Sequence, residues 1–164
     1  MASPDTTELF TRLFREAAII DEAVRRHVRH ALAPPLTEAG FGVLSHLRFT
    51  DNRNETPGDL ARLFDVSRPS MTQLLSRLVR DGFVTLHPAP HDGRVRLVQL
   101  TPEGRLAHGQ VIARVAPFLE GLARRFDAAD VAETLERLRT LREALEAVPA
   151  PGANDHPRTA ETGT

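Results

Sequence analysis

Leu60-Ala61-Arg62-Leu63-Phe64-Asp65-Val66-Ser67-Arg68-Pro69-Ser70-Met71-Thr72 is the stretch whose reading decides the fold. Upstream of it, Thr56-Pro57-Gly58-Asp59 carries a cap, a proline at the first helical position and an acid in the first turn. A helix therefore starts there and carries Leu60, Ala61, Leu63 and Phe64. Asp65-Val66 reads as a tight turn. Ser67 caps a second helix that Arg68-Pro69 opens and that ends before Gly82. Its packed stripe is Met71, Leu74, Leu75 and Leu78.

After Gly82 the hydrophobic period changes. Phe83 to His87 reads as a strand, Pro88 to Gly93 as a hairpin tip with Asp92-Gly93, and Arg94 to Leu100 as the return strand. Thr101-Pro102 opens a helix with Leu106, Val111, Val115, Leu119 and Leu122 at helical spacing. Pro117 and Gly121 are expected to kink or interrupt it. Asp127, with Asp130 at the third helical position, starts another that carries Val131, Leu135, Leu138, Leu141, Leu145 and Val148 until Pro149. Residues 149–164, rich in Pro, Gly, Ala, Thr and charge, read as a disordered tail.

On the other side, residues 50 to 56 are polar turn formers and read as a loop. Before them Thr37 caps a short helix with Phe41, Val43, Leu44 and Leu47 inward. The first 30 residues form a long helix, with Asp5 as cap and Glu8 closing a capping box. Leu9, Phe10, Leu13, Phe14, Ala17, Ile20, Val24 and Val28 recur at helical steps until Pro34-Pro35. That is more apolar surface than one contact stripe needs, so this helix is expected to pack on its own domain and on a partner chain.

The fold class that results is mainly α with a small β-hairpin wing: a winged helix-turn-helix framed by long N- and C-terminal helices. One domain is expected over 1–148, with the winged unit at about 37–101 and framing helices at about 5–33 and 102–148.

Composition narrows the chemistry. The chain has 164 residues, a net charge of −1, 41% hydrophobic and 26% charged residues, as in ordinary globular proteins. Cysteine, tryptophan and tyrosine are absent. Disulfides, thiolate nucleophiles and thiol redox sensing are therefore excluded. All 21 basic residues are Arg, which excludes Schiff-base lysines and a phosphate-loop lysine. Residues 1–5 lack the features of a secretory signal, and no apolar run approaches a membrane span. A soluble, cytoplasmic protein is expected, with no membrane partner and no cofactor.

A groove-reading helix needs one packed face and one of hydrogen-bonding groups. The helix after Ser67 has both: opposite its apolar stripe stand Arg68, Pro69, Ser70, Thr72, Gln73, Ser76 and Arg77. Segment 66–100 holds five Arg (68, 77, 80, 94, 96) against Asp81 and Asp92, a local charge of +3 in a chain of −1. Positive charge is thus concentrated where phosphates would lie. On this reading Ser67 caps its helix and touches phosphate. Ser70, Thr72, Gln73 and Arg77 meet bases or phosphates, and Arg68 is suited to guanine or phosphate.

The run from Leu60 to Thr72, followed by Leu78-Val79-Arg80-Asp81-Gly82-Phe83-Val84, resembles the MarR family of bacterial transcription regulators. Asp92-Gly93-Arg94, then Val98-Gln99-Leu100-Thr101 and Gly104, matches the wing signature of that family. The resemblance extends over residues 5 to 148. It implies a homodimer in which the N-terminal and last two helices of each chain interlock, and two winged domains that face a palindromic operator in double-stranded DNA. It makes Arg94 a wing-tip arginine entering the minor groove, steadied by an ion pair with Asp92. It also implies a repressor released by a small aromatic or anionic effector, bound between the dimer helices and the winged domain. Phe10, Phe14, Phe41, His46 and Arg48 lie on the helices that would line that cleft. The peroxide-sensing branch uses Cys and is excluded.

Other readings make different demands. A winged-helix protein-interaction module without DNA binding would have a recognition face stripped of Arg, Ser and Thr. A small hydrolase would need a nucleophile elbow or a Gly-rich loop, and neither is present. His27, His30 and His108 invite a metal, but no further ligand is set by spacing, so no metal is expected. His87 and His91 in the wing read as turn residues.

Overall fold

The structure is a computed structural model that describes residues 5–50, 55–90 and 92–148. Most of the 50–56 loop, His91 and the 149–164 tail lie outside the described residues. The element order is α1 (Thr6–Ala31), α2 (Glu38–Phe49), α3 (Pro57–Leu63), α4 (Arg68–Arg80), β1 (Val84–Ala89), β2 (Asp92–Leu100), α5 (Pro102–Ala123) and α6 (Ala128–Ala147). The chain divides into two compact units, Met1–Phe118 and Leu119–Thr164. None of the described helices is long and apolar enough to cross a membrane.

The core of the first unit is built by α2, α3, α4, the hairpin and α5. Val43, Leu44 and Leu47 of α2 meet Leu60 of α3, Met71, Leu75 and Leu78 of α4, Val84 and Val98 of the hairpin and Val111 of α5. Each is almost fully buried, and such burial stabilises by about 1.5–3 kcal/mol per large side chain. Some expected positions fall outside it. Leu63, Leu106, Leu119 and Leu122 are exposed, and on α5 the buried stripe is Gly104, His108, Val111 and Val115.

The caps follow the sequence closely. Thr56 and Asp59 form a reciprocal capping box, and Ser67, Thr37 and Asp127 each accept a main-chain N–H of their own helix. Asp5 accepts from Thr7, but Glu8 does not return the bond, so the first helix has a simple cap. The turn between α3 and α4 closes by Asp65 N–H to Arg62 carbonyl at 3.3 Å and Val66 N–H to Ala61 carbonyl at 3.0 Å. This paired motif requires a left-handed residue, and Asp65 takes it at φ 49°. Aspartate tolerates that region better than most side chains. Gly82 ends α4 in the same way at φ 77°, with Phe83 N–H reaching Leu78 carbonyl at 2.8 Å.

The hairpin pairs Val84 with Leu100, Leu86 with Val98 and Pro88 with Arg96, and a register shift follows Pro88. Both strands run further than expected: Pro88 and Ala89 belong to β1, Asp92 and Gly93 to β2. In a two-stranded sheet each strand has a free edge, so a proline without an N–H is tolerated. Val98 N–H also donates to the Glu55 carbonyl at 2.8 Å, tying the segment before α3 to the wing. Pro117 does not interrupt α5, which is helical through Ala123.

Candidate nucleic-acid interface

α4 presents its two faces as a helix between core and solvent must. Met71, Leu75 and Leu78 are buried, while Ser67, Arg68, Pro69, Ser70, Thr72, Gln73 and Arg77 are all exposed. The buried stripe therefore fixes the rotation of the helix and the polar set on the outside. Ser67 Oγ accepts the Ser70 N–H at 3.2 Å and lies 2.8 Å from Ser70 Oγ. Thr72 Oγ1 donates to the Arg68 carbonyl at 2.9 Å, which leaves its lone pairs free as acceptors. Ser76 binds the Thr72 carbonyl in the same manner.

The arginines fall into two groups. Arg62 is ion-paired with Asp59, and Arg80 lies 3.4 Å from Asp81. Arg68, Arg77, Arg94 and Arg96 are exposed, and their guanidinium groups have no hydrogen-bond or ion-pair partner among the described residues. Arg96 belongs with the first three by this criterion, although sequence spacing left its side of the strand undetermined. Alternation along β2 would have misplaced it, since period two groups Arg96 with the buried Val98 and Leu100, and the pattern breaks where Leu97 and Val98 are both buried.

At the wing tip the expected ion pair is absent. Asp92 Oδ1 instead accepts the backbone N–H of Arg94 at 2.9 Å. A carboxylate two residues before an N–H satisfies it locally with little loss of freedom, whereas an exposed ion pair is worth little. The Arg94 guanidinium is thereby left unengaged. Behind the wing, Thr101 Oγ1 accepts the Gly104 N–H at 2.9 Å and lies 2.7 Å from the Gly82 carbonyl and 2.9 Å from that of Phe83. This hydroxyl joins the end of α4, the start of β1 and the start of α5.

The residues named for an effector are not gathered into one cleft. Phe10 and Phe14 are exposed on α1 with ring centroids 6.0 Å apart. Phe41 is buried and lines a cavity of about 560 Å³ with Val24, Val28 and Phe64, where Asp21, Arg25 and Glu38 add charge. His46 Nε2 lies 3.1 Å from Glu55 Oε1, its ring edge-on to Phe64. Arg48 is exposed. His108, unremarked by spacing beyond a possible metal role, is 7% exposed, stacks on Phe41 at 5.2 Å and meets Phe49 edge-on at 6.2 Å. Its Nε2 is buried with no hydrogen-bond partner. Burial, and secondarily the Arg48 guanidinium, hold its pKa below the ordinary histidine value. Among the described residues no group of three or more His, Asp or Glu could hold a metal ion.

A family profile described as "MarR family" matches residues 36–95. The chain is 40% identical over 98 residues to the transcriptional activatory protein BadR of Rhodopseudomonas palustris, covering 59% of this chain and 54% of BadR. It is 32% identical over 115 residues to the HTH-type transcriptional repressor YetL of Bacillus subtilis, covering 70% and 62%. The matches thus span between half and two thirds of those relatives. Among solved structures, wild-type MarR of E. coli in its apo form superposes with a TM-score of 0.60 at 30% identity, over 79% of this chain and 95% of that one. A mutant E. coli MarR complexed with operator DNA superposes with a TM-score of 0.58 at 28% identity, over 84% and 98%. The named relatives are transcription regulators rather than enzymes. The helix-turn-helix, the wing and the framing helices recur together at this identity across nearly the whole of a known member, and the chain belongs to the MarR family.

Proposed function

We propose that the protein is a sequence-specific, double-stranded DNA-binding transcription regulator of the cytoplasm. It works as a homodimeric repressor released from a palindromic operator by a small-molecule effector. The observation that carries this reading is the set of four unengaged guanidinium groups, Arg68, Arg77, Arg94 and Arg96, on the exposed side of α4 and the wing. Exposed arginines without carboxylate partners suit phosphate oxygens and base edges. Ser67, Pro69, Ser70, Thr72 and Gln73 complete the reading face of α4, with Asp92 holding the wing turn and Arg94 entering the minor groove. Residues 37–101 form the DNA-reading unit, and 5–33 with 102–148 the dimer helices.

Dimerisation is supported by apolar surface that a monomer would leave wet. Leu9, Phe10, Leu13, Phe14, Ile20 and Val24 of α1 are exposed, as are Val131, Leu135, Leu138 and Leu145 of α6. A two-fold dimer would place two copies of α4 about one DNA turn, roughly 34 Å, apart. The cavity beside Phe41 is the effector site on this reading, because it joins α1 to the winged unit.

The test is an anisotropy titration of a labelled duplex from upstream of the gene against a scrambled duplex, with a reporter assay of transcription. Preferential binding and a fall in transcription support the reading. Equal affinity for both duplexes would overturn sequence specificity, and a rise in transcription would overturn repression.

A further inference from the structure

Glu55 stands where three elements of the winged unit meet. Thr56, the residue after it, caps α3 and forms the reciprocal box with Asp59, so α3 needs nothing from the Glu55 side chain. The Glu55 carbonyl accepts the Val98 N–H of β2 at 2.8 Å, and its carboxylate Oε1 accepts from His46 Nε2 of α2 at 3.1 Å. An ionised carboxylate is acceptor-only, which puts a hydrogen on that ring nitrogen. The His46 and Glu55 side chains are only 23% and 21% exposed. Phe64, at the end of α3, sets its ring edge-on to His46 at 6.2 Å. Solvent and salt screen such a half-buried pair less than an open surface pair.

The pair holds more than itself. Val98 is fully buried, so its N–H has no water to turn to if the Glu55 carbonyl withdraws. From that bond β2 runs back to the wing tip, with Arg96 two residues away and Arg94 four. At about 3.4 Å per residue Arg94 stands roughly 13 Å from the bond, so a tilt of a few degrees there moves the tip by on the order of 1 Å. Hydrogen bonds to phosphates and base edges weaken over shifts of that size.

We propose that His46 and Glu55 act together as positioning residues for the wing. By holding the Glu55 side chain, His46 fixes the carbonyl on which β2 hangs and so sets where Arg94 and Arg96 meet DNA. This role presupposes the DNA-binding regulator proposed above; the hold on Val98 does not.

The test compares Glu55→Ala, Glu55→Gln and His46→Ala in the full-length chain. Glutamine removes the same charge as alanine but keeps an oxygen for the His46 N–H, so the difference between the two reports the hydrogen bond rather than repulsion from phosphates. Affinity is read by anisotropy with the duplex from upstream of the gene. Glu55→Ala and His46→Ala should each bind about tenfold more weakly than Glu55→Gln, and the two alanines together no more weakly than either alone. With Arg94→Ala and Arg96→Ala both present, the gap between the alanine and glutamine variants should close; with Arg77→Ala it should persist. A general loss of stability would not separate those backgrounds. Without DNA, the Val98 amide should exchange about tenfold faster in Glu55→Ala and His46→Ala than in Glu55→Gln. The Phe83 amide, bonded to the Leu78 carbonyl at 2.8 Å, should keep its parental rate. Equal affinity of the alanine and glutamine variants, a gap that survives the loss of both wing arginines, or an unchanged Val98 amide would overturn the positioning role. If the parent chain shows no preference for its operator, the regulator reading fails, and the Val98 exchange alone decides the hold on the wing.

Discussion

Arg94 and Arg80 are both exposed arginines of the winged unit, yet of the two only the Arg80 guanidinium is ion-paired among the described residues. That difference makes their substitutions separable. Arg94→Ala should weaken operator binding by about tenfold or more while leaving the melting temperature unchanged, since the side chain holds nothing within the protein. An unchanged affinity in the anisotropy titration would remove Arg94 from the interface. Ser67→Ala differs in kind. It loses a cap and should cost about 1 kcal/mol in chemical denaturation on top of any loss of DNA affinity. His108 supplies a pH dependence. Its folded pKa is lowered, so the unfolded chain takes up the proton first as pH falls. The stability tied to its neutral form is complete above the unfolded value near 6.5 and declines below it until the folded pKa is reached. His108→Phe keeps a ring on Phe41 and should flatten the melting-temperature profile between about pH 7.5 and 5 relative to the parent. Parallel profiles would show that other groups carry the acid response.

At the scale of elements, the junction of α4, the hairpin and α5 is set by close approach. A Cβ on Gly104 would stand 2.1 Å from the Phe83 carbonyl oxygen and 2.8 Å from Leu100 Cδ1. The first of these atoms is backbone and accepts the Thr101 N–H at 3.1 Å, so it cannot retreat alone. Gly104→Ala should therefore cost about 2–3 kcal/mol, read as a lower denaturation midpoint, and should also reduce DNA affinity by displacing the wing. Full stability in that variant would mean that α5 starts further from the hairpin than the structure has it. The turn between α3 and α4 works by the opposite means. Asp65 accepts the left-handed conformation so that Ser67 can restart a helix at once, which aims the polar face of α4 outward.

For the molecule as a whole, two measurements address the proposed assembly. If four arginines from each of two protomers each neutralise one phosphate, log K against log salt should fall with a slope of about −7. A flat plot would mean that phosphates are not contacted. Leu138→Asp places a charge on the exposed apolar face of α6, and Leu13→Asp does so on α1. Either should shift a dimer toward monomer in analytical ultracentrifugation without unfolding the winged unit, whose core contains neither residue. A chain already monomeric before substitution would overturn the homodimer.

The sequence alone determined the order and type of the elements, because these rest on local rules. Caps at Thr37, Thr56 and Ser67, the glycine after α4, and apolar spacing on α2 and α4 act within a few residues. The polar face of α4 was legible for the same reason: its apolar stripe specifies which side is left over. Interactions between distant segments were not legible. Nothing near Arg94 says whether Asp92 binds its side chain or its amide, and nothing near Leu106 says that His108 faces the core in its place. Nor does spacing single out the carboxylates that Arg25 and Arg29 bind, or bring Arg114 to the end of α1. Those outcomes depend on which groups tertiary packing brings within hydrogen-bonding reach. Local periodicity restricts a side chain to a face of its helix, while its partner there is decided only when another element closes against it.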